Sequence, residues 1–212
     1  MTQIKSFEVN YFSENTYLVY DETGEAVLID CGCMRAEEEQ ELVRFITDNK
    51  LTLKRYLCTH LHLDHIFGNE FVYRTFGLTP EAHRADVEQL PTAEEQAKAF
   101  GLPLHIKNVP VEKYLTGGEV ISFGTSELQV LSVPGHSPGS VAFYNRKNGF
   151  VIVGDALFAG SIGRTDLWGG NHEILVAAIR DKLLSLPDET VVYCGHGPET
   201  RIIDEELNNP YL

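Results

Sequence analysis

The chain reads as a mixed α/β protein in which two mixed sheets pack together with helices on the outside. Three observations predict this. Short apolar or β-branched runs alternate with stretches of helical spacing, and the pattern occurs twice, in the first third and again from residue 119. The 212 residues are enough to bury a full core without staples. Hydrophobic residues make up 43% and charged residues 23%, an ordinary globular composition that excludes a disordered or collagen-like chain.

The elements follow in order. Residues 4–9 alternate apolar and polar, as a half-buried strand does. Residues 16–20 and 26–29 are apolar or β-branched runs separated by a turn at 21–24. Residues 34–48 place Leu42, Phe45 and Ile46 on one helical face with acidic residues opposite. Residues 53–58 form a short apolar run that predicts a buried strand. The stretch 70–115 holds helical pieces at 69–76, 80–90 and 93–100, interrupted by Pro80, Pro91 and Pro103. It is expected as an irregular helical insertion within a single domain spanning 1–212. Strand runs return at 120–123, 128–133, 140–144 and 150–153. A Gly-rich loop at 154–170 leads to a helix at 173–186, a last strand at 191–194 and a short tail.

Seventeen Lys and Arg face 31 Asp and Glu, for a net charge of −14. Such a surface repels phosphate backbones, so neither nucleic acid nor an anionic membrane is an expected partner. No stretch approaches the ~18 uncharged apolar residues of a membrane helix. The first residues lack the basic-then-apolar pattern of a secretory signal, so a cytoplasmic protein is expected. Cys31, Cys33, Cys58 and Cys194 are too few for a disulfide framework. Cys31-Gly32-Cys33 has no second pair at zinc-ribbon distance, and Cys58 and Cys194 end apolar runs. All four are expected as reduced, buried thiols.

The chemistry lies in four places, each after an expected strand. They are Thr59-His60-Leu61-His62-Leu63-Asp64-His65, Pro134-Gly135-His136-Ser137, Gly154-Asp155 and Gly195-His196-Gly197. Loops at strand ends are where a rigid sheet holds functional groups. Three imidazoles and a carboxylate within six residues are costly to crowd together unless a cation holds them. If the segment is extended, His60 and His62 point the same way. Imidazole and carboxylate donors without a thiol pattern suit zinc, iron or manganese in a working site better than a structural zinc. His83, His105 and His172 lie outside these places and are expected to be ordinary surface or hydrogen-bonded histidines.

In chain order these motifs resemble those of the metallo-β-lactamase superfamily: H-x-H-x-D-H at 60–65, then His136, Asp155 and His196. The resemblance runs from Asn15-Thr16-Tyr17 and Ile29-Asp30 to Asn209-Pro210-Tyr211-Leu212. The chain looks most like the glyoxalase II (hydroxyacylglutathione hydrolase) branch, through Gly154-Asp155-Ala156-Leu157-Phe158. It is similar to that branch's short bacterial members at Ser161-Ile162-Gly163-Arg164-Thr165-Asp166 and Gly195-His196-Gly197-Pro198-Glu199-Thr200. The resemblance implies a four-layer αβ/βα sandwich with the site at the edge between the sheets. It implies two divalent metal ions, zinc first, with iron or manganese as alternatives. His60, His62 and His136 would bind the first, Asp64, His65 and His196 the second, and Asp155 would bridge them. The implied activity is thioester hydrolysis of acyl-glutathione or a related small molecule by a bridging metal hydroxide, with Asp64 as the catalytic residue that steadies it.

The chain departs from the pattern in three places. Asp30-Cys31-Gly32 stands where the family usually has Asp-Pro-Gly. Only 16 residues follow His196, so a C-terminal helical domain that grips glutathione is not expected, and weakened glutathione binding is. Aspartate stands at 155, where β-lactamases of this fold tend to use cysteine, which argues against antibiotic hydrolysis. Arg164 is a candidate partner for a substrate carboxylate, or else the cation of an ion pair with Asp166 or Glu173. Thr59, Ser137 and Asp30 are candidates by position for fixing the imidazoles. The alternative activity is a persulfide dioxygenase, which the Gly163–Asp166 loop also resembles, with one iron held by His60, His136 and Asp155. A binding protein with a relic site is disfavoured by the complete donor set, and a nuclease by the charge.

Overall fold

Side-chain alternation along the strands builds the layers of the computed structural model, which describes all 212 residues. The first sheet contains β1 (Gln3–Val9), β2 (Glu14–Tyr20), β3 (Glu25–Ile29), β4 (Thr52–Leu57), β5 (Pro80–His83) and β6 (Lys113–Leu115), in that spatial order. The first three strands run antiparallel, and β3 to β6 run parallel. The second sheet has the order β14-β13-β10-β9-β8-β7. Its strands are β7 (Val120–Phe123), β8 (Ser126–Ser132), β9 (Val141–Asn145), β10 (Phe150–Gly154), β13 (Val191–Cys194) and β14 (Thr200–Arg201). A separate hairpin pairs β11 (Leu157–Phe158) with β12 (Ser161–Ile162).

A period of two puts successive residues on opposite faces. Tyr17, Val19, Val27, Ile29 and Leu57 of the first sheet meet Ile121, Leu128, Val130, Phe143 and Ile152 of the second in the central layer. Leu18, Leu28 and Tyr56 point outward, where α1 (Ala36–Asp48) brings Leu42 and Ile46 and α3 (Asn69–Phe76) brings Phe71 and Val72. On the far side Ala142, Tyr144, Val151 and Val153 meet Leu175 of α6 (His172–Ala178). Both sheets are thus covered on both faces, which is why the second half of β2, from Tyr17, and all but the last residue of β9 and β10 read as continuous apolar runs. The result is the four-layer αβ/βα sandwich.

Three expectations are corrected. The stretch 70–115, expected as an irregular helical insertion, supplies two strands of the first sheet, β5 and β6. Residues 80–90 are not one helical piece: Pro80–His83 pairs with β4, and only then does α4 (Arg84–Gln89) begin. A four-residue strand is too short to display its period, and Pro80 is tolerated because it opens the strand. α5 (Ala93–Ala99) forms as expected. The helix expected at 173–186 ends as α at Ala178 and continues as a π-turn over Ile179–Leu183. The tail is ordered as β14 and α7 (Ile202–Asn208).

One buried carboxylate ties the two sheets together at the end where β1 starts, since Gln3 pairs with Tyr20 just before it. Asp21 is 3% exposed in the β2–β3 turn. It accepts hydrogen bonds from Thr23 N and Oγ1 in its own turn, and from Thr125 N and Oγ1 and Ser126 Oγ in the β7–β8 turn. Burial pushes its carboxyl up, but these donors outweigh it and hold the group well below the usual carboxylate range. A depressed carboxylate contributes stability that is present above its unfolded pKa of ~3.9 and lost as the pH falls through its folded value. Asp21→Ala is therefore expected to destabilise the fold by about 1–3 kcal/mol at neutral pH, with a smaller penalty at pH 3 and below. Denaturant unfolding at both pH values checks this, and an equal penalty at both would refute the electrostatic part.

Candidate metal centre

Four strand ends converge on one rim of the sandwich. β4 ends at Leu57 and leads into His60 and His62, and the single turn α2 (Leu63–Ile66) carries Asp64 and His65. β8 leads to His136, β10 to Asp155 and β13 to His196. The two sheets are joined here, since Val141 N donates to Thr59 O at 2.8 Å. Two glycines permit the approach. A Cβ on Gly195 would overlap Asp155 and His65, and Gly154 turns at φ +53° with no space for a Cβ against Thr59.

The predicted donors form two adjoining groups. His136 Nε2 lies 3.2 Å from His60 Nε2 and 2.8 Å from His62 Nδ1, so three donor atoms face one point. His196 Nε2 lies 3.1 Å and His65 Nε2 3.8 Å from Asp64 Oδ2, giving the second group. Asp155 sits between them. Its Oδ1 is 3.2 Å from His65 Nε2, and its Oδ2 is 3.5 Å from His196 Nε2 and 3.6 Å from His136 Nε2. All seven side chains are brought together. His83 instead caps α4 by accepting from Ala85 N, and His105 is fully exposed.

Hydrogen bonds on the outer ring nitrogens fix how the imidazoles face. His65 Nδ1–H donates to Asp30 Oδ2 at 2.9 Å, His136 Nδ1–H to Arg164 O at 2.7 Å and His196 Nδ1–H to Phe12 O at 2.9 Å. Thr59 Oγ1 gives its proton to Asp30, so its lone pair is free to accept from His60 Nδ1–H at 3.0 Å. Each of these rings therefore turns its Nε2 inward. His62 is reversed, with Nδ1 inward. Asp30 also lies near His60 and His65, but Thr59 N, Thr59 Oγ1 and His65 use its oxygens, so it orients the imidazoles instead of offering a third group. Ser137 touches no imidazole; its hydroxyl binds Asp86 and Ser140.

The electrostatics suit a cation. Burial, reinforced by the neighbouring imidazoles, holds His60 well below the usual histidine range, and the same causes push His62 down to about 3. Both stay neutral and able to donate a lone pair. Burial also lowers His65, yet the Asp155 and Asp64 carboxylates outweigh it and raise that ring well above its ordinary value. Burial raises Asp155, while His65, His136 and His196 hold it low. His62 Nε2, His65 Nε2 and Asp155 Oδ1 are buried with no hydrogen-bond partner. An orphaned buried polar atom costs about 1–3 kcal/mol, and for His65 and Asp155 a metal ion held by the second group would remove that cost.

Sequence reading missed Glu14 and Asn15 of β2. Glu14 is fully buried, accepts from Thr16 Oγ1 and Gly32 N, and lies 3.7 Å from His65 Nδ1. Asn15 holds the His196 loop, its N donating to Gly195 O and its Nδ2 to Cys194 O and Gly197 O. Neither sits in a metal motif, so only their polarity in an otherwise apolar run could have marked them. All four cysteines are free and buried, as expected. Arg164 is paired with Asp166 at 2.7 and 2.8 Å, the structural alternative of its two expected roles, while also lining the cleft beside the site. That cleft has a volume of about 410 Å³, with Asp155, Phe158, His196 and Pro198 among its walls. On the other side Trp168 stands 6.4 Å from the His62 ring and 5.8 Å from Phe100.

Comparison with known proteins agrees with this geometry. The family model of the metallo-beta-lactamase superfamily matches residues 9–196. Hydroxyacylglutathione hydrolase GloC of Haemophilus influenzae is 35% identical over 213 residues, covering 99% of this chain and 97% of that protein. The BLEG-1 B3 metallo-beta-lactamase structure superposes with a TM-score of 0.88 at 35% identity over 99% of both chains. TTHA1623, solved in a di-iron-bound form, gives a TM-score of 0.85 at 38% identity, covering 98% of this chain and 100% of that one. With the matched family spanning almost the whole fold and its strand-end donors assembled on one rim, the chain belongs to the metallo-beta-lactamase superfamily.

Proposed function

We propose that this protein is a metal-dependent thioester hydrolase of the glyoxalase II type, acting on acyl-glutathione or a related small thioester. The observation that carries the reading is Asp155, whose two oxygens face two complete donor groups at once. The full-length similarity to a hydroxyacylglutathione hydrolase supports the choice of substrate class. In this reading His60, His62 and His136 hold one divalent ion, Asp64, His65 and His196 hold a second, and Asp155 is shared. Two like cations ~3.5–4 Å apart repel, which is why a carboxylate between them is needed. Zinc is the proposed metal, and iron fits the same donors.

When bound, such ions supply Lewis acidity to an acyl carbonyl and make water acidic enough to ionise near neutral pH. The chain's own residues do the rest. Asp30, Arg164 O and Phe12 O hold the His65, His136 and His196 rings so that the donor atoms need not reorganise. The Asp64 carboxylate, one-fifth exposed and 3.1 Å from His196 Nε2, accepts the proton of the attacking water. The oxygen adds to the acyl carbon, the C–S bond breaks, and the proton passes to the departing thiolate. The cleft walls of Phe158 and Pro198 cover the substrate beside His196, and Arg164 is the one cation among the lining residues.

Four outcomes test this. Chelation is expected to abolish activity and lower the melting temperature by roughly 5–10 °C, the shift that binding at about 100 times Kd supplies to a chain of this size. An unchanged melting temperature after verified metal removal would refute coupling of metal to fold. Asp155→Ala is expected to lose activity by orders of magnitude while His105→Ala does not, and near-normal turnover of Asp155→Ala would refute the two-ion site. Asp64→Asn is expected to lower kcat about 10²–10⁴-fold, the usual worth of a general base, with less effect on KM. Arg164→Ala is expected to raise KM for lactoylglutathione only about two- to fivefold, because the guanidinium is exposed and already paired with Asp166. A thioester lacking the glutamyl group should then be hydrolysed comparably. A low-micromolar KM confined to the glutathione substrate would contradict this. One iron per chain with oxygen uptake on glutathione persulfide would replace the reading with a dioxygenase, and faster turnover of β-lactams would replace it with a β-lactamase.

A further inference from the structure

The segment that carries His60 and His62 has no secondary structure from Cys58 to His62, so its backbone groups need partners from elsewhere. Two side chains of the 70–115 stretch provide them. Asp86, in the first turn of α4 and 1% exposed, accepts from Leu61 N at 3.0 Å. Gln96 of α5, also 1% exposed, accepts from Leu63 N at 3.0 Å and donates to Leu61 O at 2.9 Å. The same Asp86 carboxylate reaches across to the loop that carries His136. Its Oδ2 accepts from Ser137 Oγ at 2.9 Å and its Oδ1 from Gly139 N at 2.6 Å. Gly139 permits this approach, since a Cβ there would overlap the Asp86 backbone and side chain.

His60 and His62 follow a strand of the first sheet, and His136 follows a strand of the second. Their inward nitrogens must meet within 2.8–3.2 Å, although the loops belong to different sheets. Backbone to backbone they are tied by the Val141 N to Thr59 O bond, which lies beside His60 but five residues past His136. Asp86 touches both next to the ligands themselves, one residue from His60, His62 and His136 in sequence. We infer that Asp86, seconded by Gln96, is a positioning residue that sets the spacing of the His60–His62–His136 group from outside it. This rests on the reading of those three histidines as metal donors. It also gives the 70–115 stretch a role: it holds the ligand loops in register as well as completing the sheet.

The test is metal affinity, measured as competition between the protein and a chelator for cobalt(II), whose visible spectrum reports the donor geometry. The wild type, Asp86→Asn and Gln96→Ala are compared, together with the melting temperature of each in metal-free form. Asp86→Asn keeps the shape but turns one acceptor into a donor facing donors. It is expected to weaken one of the two ions about 10–100-fold and to alter its spectrum, with the second ion retained. Gln96→Ala is expected to weaken binding in the same direction by less. Wild-type affinity and spectrum in Asp86→Asn would overturn the inference, whatever its melting temperature, because the residue would then be structural alone. Equal weakening of both ions alongside a large fall in metal-free melting temperature would also overturn it. If Asp86→Asn yields no folded protein, Ser137→Ala, which removes the Ser137 bond to Asp86 along with its contact to Ser140 and leaves the Gly139 N bond in place, carries the test beside Gln96→Ala: a few-fold loss in either supports the inference and unchanged affinity in both overturns it. A wild type that takes up no cobalt would overturn the metal reading itself, a result distinct from any of these.

Discussion

Seven donor side chains crowded at one rim set the terms for the rest of this molecule. Imidazoles and carboxylates at 2.8–3.8 Å from one another, most of them buried, do not assemble for packing reasons. Polar groups taken from water need partners, and here two inner atoms, His65 Nε2 and Asp155 Oδ1, find none within the protein. The arrangement is therefore held by its surroundings and completed by a cation. The opposed behaviour of neighbouring rings expresses this. Burial and like neighbours keep His60 and His62 unprotonated, while the Asp155 and Asp64 carboxylates stabilise positive charge at His65 against the same burial.

The sandwich is built to carry this cost away from the site. Its apolar layers are continuous, with each sheet burying one face against the other and one against helices. The strand ends are thus rigid anchors, and the loops beyond them are fixed by buried polar side chains instead of by ladder bonds. Asp30 holds Thr59 and His65, Asn15 holds the His196 loop, and Asp86 and Gln96 hold the loops of the first group. Each of these partners comes from a different element than the ligand it serves. Metal geometry, fold and loop order are for that reason one cooperative property.

The same logic separates the centre from what lies around it. The donor groups are enclosed and over-determined, whereas the adjoining cleft is open and its cation, Arg164, is exposed and bound to Asp166. The proposed activity accordingly sets the chemistry on a rigid floor and recognition on a weakly committed rim. This is the physical ground for expecting a competent hydrolase with a tolerant substrate range.

The donor set and its order were legible in the sequence because the chemistry requires particular residue types at short spacings. His60 to His65 announce a cation by their density alone, and the later motifs sit beside glycines that tight strand-end turns demand. The layered α/β class was legible for a similar local reason, since long apolar runs and amphipathic helices reveal their period. The fold decided what depends on distant partners. Residues 80–83 and 113–115 became strands because the edge of a sheet was there to pair with them, not through any pattern of their own. Ser137 turned from the imidazoles to Asp86, and Glu14 and Asn15 joined the site from a strand with no metal motif. Arg164 took Asp166 as its partner. A single sequence lists the groups capable of an interaction, but which of them meet is settled only when the two sheets close on one another and bring strand ends more than a hundred residues apart to one rim.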